Sequence, residues 1–331
     1  MKHTTSFALV LLASACGGSS GGLPAADDGG IATRGGNDGP VVASGCDHVT
    51  ALCAKLHECA PFLLEALYGD VNGCADRLTK VCTEQAGSNG SGMTQTAILA
   101  CEAALKTATC DDVFGNNIPG CSFRGTLADG SACGDSSQCQ GGFCNTGGSL
   151  CGTCASKKGS GEACASGSND ECQIALVCSS GKLCATPAVV GGPCDDNTQP
   201  CLSGSFCTSA KTCALTVKPD QIQTEKCPGA YINFADGTFC TGKDAQPGQI
   251  VTATKGEPCG LAPSTGQPAL CAPGSVAACA STGITILGVP TQGVCTELKD
   301  DDFACTASSD CQAGAQCIAE TCQIPSGKYC Q

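Results

Sequence analysis

The sequence predicts a small disulfide-rich fold: an α-helical, disulfide-stapled N-terminal domain followed by an array of small β-hairpin/turn disulfide modules. Three observations carry that expectation. Of 33 cysteines in 331 residues, Cys16 stands alone behind a short apolar run, while the rest form an even set from Cys46 to Cys330. An even set behind an export leader reads as a disulfide framework. Core material is scarce, with 45 Gly, no Trp, 9 Phe and 3 Tyr, so cross-links must supply what burial does not. Finally, a Gly-x-x-Cys signature recurs from Gly130 to Cys259, which is the mark of a repeated unit.

The helical domain is expected over residues 46–124. Its eight cysteines, Cys46, Cys53, Cys59, Cys74, Cys82, Cys101, Cys110 and Cys121, lie among Ala and Leu at helical spacing. Cys46, Val49, Cys53 and Leu56 share one helix face, as do Cys74, Leu78, Val81 and Cys82, and Ile98, Cys101 and Leu105. Pro61 suits the first turn of a short helix to Leu67. Asp70 and Thr94 are the expected N-caps, and residues 87–92 (GSNGSG) a loop. With cysteines on the apolar faces, bridges would staple helix to helix.

Three modules are expected over 125–217. Gly130, Gly161, Gly191 and Gly256 each stand three residues before a cysteine. The first module is read as Cys133, Cys139, Cys144 and Cys151, the second as Cys164, Cys172, Cys178 and Cys184, and the third as Cys194, Cys201, Cys207 and Cys213. After an insertion at 218–255 that carries Cys227 and Cys240, two further modules follow over 256–331. These are a stretched one with Cys259, Cys271, Cys279 and Cys295, and a last one with Cys305, Cys311, Cys317 and Cys322. Cys154 and Cys330 are left over and restore even parity, each free to pair outside its module; connectivity does not follow from spacing. Residues 231–239 alternate around Asp236-Gly237 and read as a β-hairpin.

The run GTLADGSACGDSSQCQGGFCNTGGSLCGTC, ending at Cys154, resembles the Dickkopf N-terminal type of cysteine-rich module. That family comprises secreted signalling antagonists in animals, an activity that fold likeness does not transfer. At the N-terminus, Lys2 precedes an apolar stretch over residues 7–15 that is too short to span a membrane. Leu12-Ala13-Ser14-Ala15-Cys16 resembles the lipobox of bacterial lipoproteins, with Ala13 where Leu is commoner. The resemblance implies a signal peptide over 1–15, lipidation at Cys16 and, from Gly17, sorting to the outer membrane. Residues 16–45 are Gly-rich and free of apolar periodicity, a flexible tether with a reach of roughly 30 Å. The whole layout is similar to that of predicted cysteine-rich lipoproteins of large-genome Gram-negative bacteria. The expected location is therefore exported and lipid-anchored to the outer membrane, at its periplasmic face or the cell surface.

A net charge of −13 argues against a nucleic-acid partner. Asp300-Asp301-Asp302 lacks EF-hand spacing and reads as a solvated turn. His48 and His57 share the first helix, HExxH is absent, and Gly-x-Ser-x-Gly occurs only in the Gly-rich tether at residues 17–22, without the strand and helix that a nucleophile elbow needs. Cys53 and His57 at i, i+4 read as a bridged cysteine beside a histidine rather than a metal pair, Cys151-Gly-Thr-Cys154 as structural rather than redox-active, and Asn89-Gly-Ser91 as an exposed loop. No catalytic residue, cofactor or metal ligand is expected. The expectation is a non-enzymatic surface lipoprotein, anchored to the membrane through its N-terminal lipid, that binds a protein or glycan or serves structural display through its modules. An extracellular protease inhibitor and thiolate binding or storage of copper or zinc by the helical domain are the alternatives.

Overall fold

The computed structural model describes residues 45–147, 149–165, 171–202, 205–215, 226–227, 230–233, 235–241, 244–260, 268–271, 277–281, 285–286, 289–290, 292–306, 310–312, 314–324 and 330. The leader, Cys16 and nearly all of the tether lie outside them. Every cysteine from Cys46 to Cys330 is in a disulfide. Among the described residues no helix is long and apolar enough to cross a membrane.

Five short helices open the described chain: α1 His48–Cys59, α2 Pro61–Tyr68, α3 Val71–Ala86, α4 Gln95–Thr107 and α5 Cys110–Phe114. Pro61 sits in the first turn of α2, where its missing N–H costs nothing. Asp70 Oδ1 caps α3 by accepting from the Gly73 N–H at 2.7 Å, and Thr94 Oγ1 caps α4 by accepting from the Ala97 N–H at 3.2 Å. The predicted faces turn inward: Val49, Cys53, Leu56, Val81, Ile98 and Leu105 are buried in the core. Cys46–Cys82 and Cys53–Cys74 tie α1 and its entry to α3. Cys59–Cys110 joins the end of α1 to the start of α5, and Cys101–Cys121 fixes α4 to the 3-10 turn Pro119–Cys121.

Five copies of one frame follow. Its strands are β1 Ala132–Cys133, β2 Gly142–Asn145 and β3 Gly152–Ser156 in the first copy; β4 Val177–Cys178 and β5 Cys184–Ala185 in the second; and β6 Ser205–Cys207 and β7 Cys213–Leu215 in the third. In each copy the first cysteine bonds the third and the second bonds the last. This gives Cys133–Cys144 with Cys139–Cys154, Cys164–Cys178 with Cys172–Cys184, and Cys194–Cys207 with Cys201–Cys213. The stretched copy and the last copy keep the rule, with Cys259–Cys279 and Cys271–Cys295, then Cys305–Cys317 and Cys311–Cys322.

The backbone explains the recurring glycine. In every copy the residue three before the first cysteine has positive φ and donates its N–H to the carbonyl of the last cysteine. Gly130 pairs with Cys154, Gly161 with Cys184, Gly191 with Cys213 and Gly256 with Cys295, each at 2.8 Å. The residue after it accepts from the N–H of that same cysteine. The turn demands the conformation that glycine adopts without strain. In the last copy Asp302 holds the position, at φ 71°, and donates to the Cys322 carbonyl at 2.8 Å.

That frame corrects the reading of the first module. Its last cysteine is Cys154, which faces Cys144 across β2 and β3. The extra cysteine is Cys151, which bonds Cys330 across 179 residues. The spacing after Cys144 admits either cysteine; the Gly130–Cys154 hydrogen bond decides between them.

The insertion forms the expected hairpin, β8 Ala230–Ile232 against β9 Thr238–Thr241, closed by the Gly237 N–H donating to Asn233, with β10 Gly248–Gln249 beside β9 and Cys227–Cys240 as its bridge. Phe234 lies outside the described residues. β11 Val251–Ala253, in the segment read as insertion, pairs in parallel with β12 Ala269–Cys271 and so forms part of the stretched copy.

The copies do not simply follow one another along a line. The first is fused to the helical domain: the Thr126 N–H donates to Gly90, the Gly92 N–H to Ser137 and Gln138 Nε2 to the Asn89 carbonyl, at 2.7–2.9 Å. Gly125 permits this, since a Cβ there would sit 2.1 Å from the Gln138 backbone and 2.2 Å from the Gly90 carbonyl oxygen. In the second copy the Ala175 N–H donates to Asn116 at 2.9 Å. The insertion touches α2 through the Phe62 N–H and the Ala235 carbonyl, at 3.4 Å. From the last copy Asp301 forms a 2.6 Å ion pair with Arg77 of α3. The helical domain is thus a hub, and Cys151–Cys330 returns the end of the described chain to the first copy.

Candidate functional site

Where the helical hub meets the first two copies, the packing leaves a half-enclosed cavity of about 270 Å³. The α1 face supplies His48, Val49 and Leu52, α3 supplies Leu78 and Val81, and α4 supplies Leu105. Ile118 and Phe123 close it from the segment after α5, and Ile174 from a turn of the second copy. Leu52, Leu78, Ile118, Phe123 and Ile174 are only half-buried, because part of each surface faces this space instead of a neighbouring side chain. Gln85, Asp135, Ser137 and Lys157 lie at the polar parts of the wall, where Gln85 Nε2 donates to Asp135 Oδ2 at 3.0 Å.

His48 is buried at 6 % exposure, and its ring meets Phe123 edge-on, centroids 5.4 Å apart. Burial pushes its pKa down from the ordinary 6.5, against the opposing pull of the Asp47 and Glu102 carboxylates. Its Nδ1 and the Nδ2 of Asn116, another residue of the same wall, are shut off from solvent and have no hydrogen-bond partner. Asn116 is held at φ 55° while its carbonyl accepts from Ala175.

The other sequence-derived candidates fall elsewhere. His57 is exposed, whereas Cys53 is buried in its bridge to Cys74. Cys151 and Cys154 belong to two different bridges. In five copies three cysteine sulfurs lie within 4.8 Å of one another, for example those of Cys133, Cys139 and Cys154. This closeness comes from two disulfides stacked in one small frame, so thiolate ligation there would first require both to be reduced. Of the acidic triplet, Asp300 accepts from Gln312 Nε2, Asp301 pairs with Arg77 and Asp302 makes the turn. It is a turn, as the sequence suggested, but with one side chain drawn partly out of solvent. Asn89 is exposed, and its carbonyl joins the hub to the first copy.

The turn ahead of each first cysteine, closed by the N–H two residues before that cysteine donating to the carbonyl five residues before it, varies in its first two residues. These are Ala128-Asp129, Gly159-Ser160, Val189-Val190, Thr254-Lys255 and Asp300-Asp301. Val189 and Val190 are 59 % and 50 % exposed, and Leu215 of β7 in the same copy is 61 % exposed. One frame therefore holds five different turns, and the third is apolar in open solvent. The chain matches no protein-family model, no curated protein and no solved structure.

Proposed function

We propose that the protein is a non-enzymatic, exported lipoprotein, held at the outer membrane through Cys16, that binds a protein or glycan partner with the turns of its cysteine-rich modules. The observation that carries this reading is the repeated frame with unlike turns. A rigid backbone constrained by two bridges presents a short, variable pair of residues at little entropic cost on binding, and the apolar pair Val189-Val190 is exposed with no intramolecular reason to be so. The Dickkopf-like character of the first module and the lipoprotein layout of the sequence agree with a secreted binding scaffold.

The test uses the mature, oxidised protein on glycan and extracellular-protein arrays, beside Val189→Asp/Val190→Asp. Saturable binding that the double variant loses, with unchanged thermal unfolding, supports the reading. Inhibition across a protease panel would move the assignment to an extracellular inhibitor. Stoichiometric copper or zinc together with free thiols would move it to thiolate storage. The anchor has its own test: Cys16→Ala should move the protein from the membrane to the soluble fraction with its fold intact, and continued membrane association would refute lipidation there.

A further inference from the structure

We infer that the cavity between the helical hub and the first two modules is a binding site for a small, neutral, largely apolar molecule that carries one hydrogen-bonding group. This site is separate from the module turns and stands whether or not those bind a partner.

Protein interiors are packed as tightly as organic crystals, and voids larger than a water molecule are few. A space of about 270 Å³ in a chain tied by a disulfide network is therefore not slack to be overlooked. An apolar cavity of about 150 Å³ holds benzene; at nearly twice that volume this one suits a body of about eleven heavy atoms, two fused rings or a compact branched chain. Leu52, Leu78, Ile118, Phe123 and Ile174 offer it aliphatic and aromatic surface. The same wall contains two polar side-chain atoms without partners, His48 Nδ1 and Asn116 Nδ2. Buried polar groups are nearly always satisfied, so packing and hydrogen bonding are both incomplete at one place. Both atoms are closed off from water, so a small shift of the His48 or Asn116 side chain must accompany a guest whose hydroxyl or carbonyl supplies what each lacks. Charge is disfavoured against the aliphatic and aromatic surface, because a charged group needs a partner of opposite charge when it leaves water, and the wall's charged groups, Asp135 and Lys157, lie only at its polar parts.

The test is calorimetric titration of the mature, oxidised protein with naphthalene, 2-naphthol and 2-naphthoate. The expected result is saturable one-to-one binding of 2-naphthol, stronger than that of naphthalene by about fivefold, the change one net hydrogen bond gives, and stronger than that of 2-naphthoate. Ile174→Trp fills the space from the module side, outside the helical core, and should weaken 2-naphthol by about tenfold or more. Ile174→Ala should keep binding, which separates filling from damage to the fold. His48→Phe keeps the ring and should erase the preference for 2-naphthol over naphthalene. Absence of saturable binding, binding unchanged in Ile174→Trp, or preference for the naphthoate anion would overturn the assignment.

Discussion

At the scale of single residues, the molecule contains its own control experiment. Four modules place Gly at the turn before the first cysteine, and the last places Asp302 there at φ 71°. A side chain in the left-handed region costs about 1–2 kcal/mol. Asp302→Gly should therefore stabilise the protein by roughly 1 kcal/mol, and Gly161→Ala should destabilise it by a similar amount. A Cβ at Gly161 meets no atom within 4 Å, so backbone conformation alone would account for the loss. Paired thermal unfolding curves check both, and equal stabilities would show that the turn is not the constraint. His48 carries the pH dependence. Its pKa in the folded chain lies below 6.5, so the unfolded chain takes up the proton first. The stabilising contribution of neutral His48 is complete above pH 6.5 and is lost as pH falls from there through the lower folded value. His48→Phe should flatten the melting temperature between about pH 7 and pH 5; an unchanged slope would place the titration elsewhere. The sequence marked His48 only as a histidine on the first helix. Its environment comes from Phe123 and from Glu102 of α4, more than fifty residues further along the chain, which no local pattern can disclose.

At the scale of elements, periodicity was a sufficient guide to the helices. Cys53, Leu56, Ile98 and Leu105 point inward because their spacing follows the helical turn, and Asp70 and Thr94 cap because their side chains reach back to the third residue of the helix. Thr94→Ala should cost about 1 kcal/mol, read by chemical denaturation. The modules were legible as four-cysteine spacings but not as pairings. The rule linking first to third and second to last depends on a backbone hydrogen bond from the turn glycine, and sequence distance cannot distinguish Cys151 from Cys154. Each short strand pair buries little beyond its sulfurs, so the bridges are the core. Replacing Cys172 and Cys184 together by Ser should cost about 3 kcal/mol, the loop-entropy value for a bridge of this span. Limited proteolysis should then cut within residues 158–185 first; cleavage spread evenly over the chain would mean that the copies unfold as one.

For the whole molecule, the array of modules is gathered on a helical hub by returning contacts. The Arg77–Asp301 pair and Cys151–Cys330 both join parts more than 170 residues apart. Arg77 is 7 % exposed in this pair, so Arg77→Leu, which strands Asp301 in a partly buried site, should lower stability by about 3 kcal/mol. Chemical denaturation measures it, and a loss near zero would make the contact incidental. Such contacts join residues that no repeat or period relates, and for that reason the sequence is silent on them. Cys151 also has a history imposed on it. During synthesis at about 5–20 residues per second, the 179 residues that separate it from Cys330 take roughly ten to forty seconds to appear. Over that interval Cys151 has no correct partner, while Cys139, Cys144 and Cys154 stand nearby. The maturation of this protein thus depends on whatever keeps one early thiol uncommitted until Cys330 arrives.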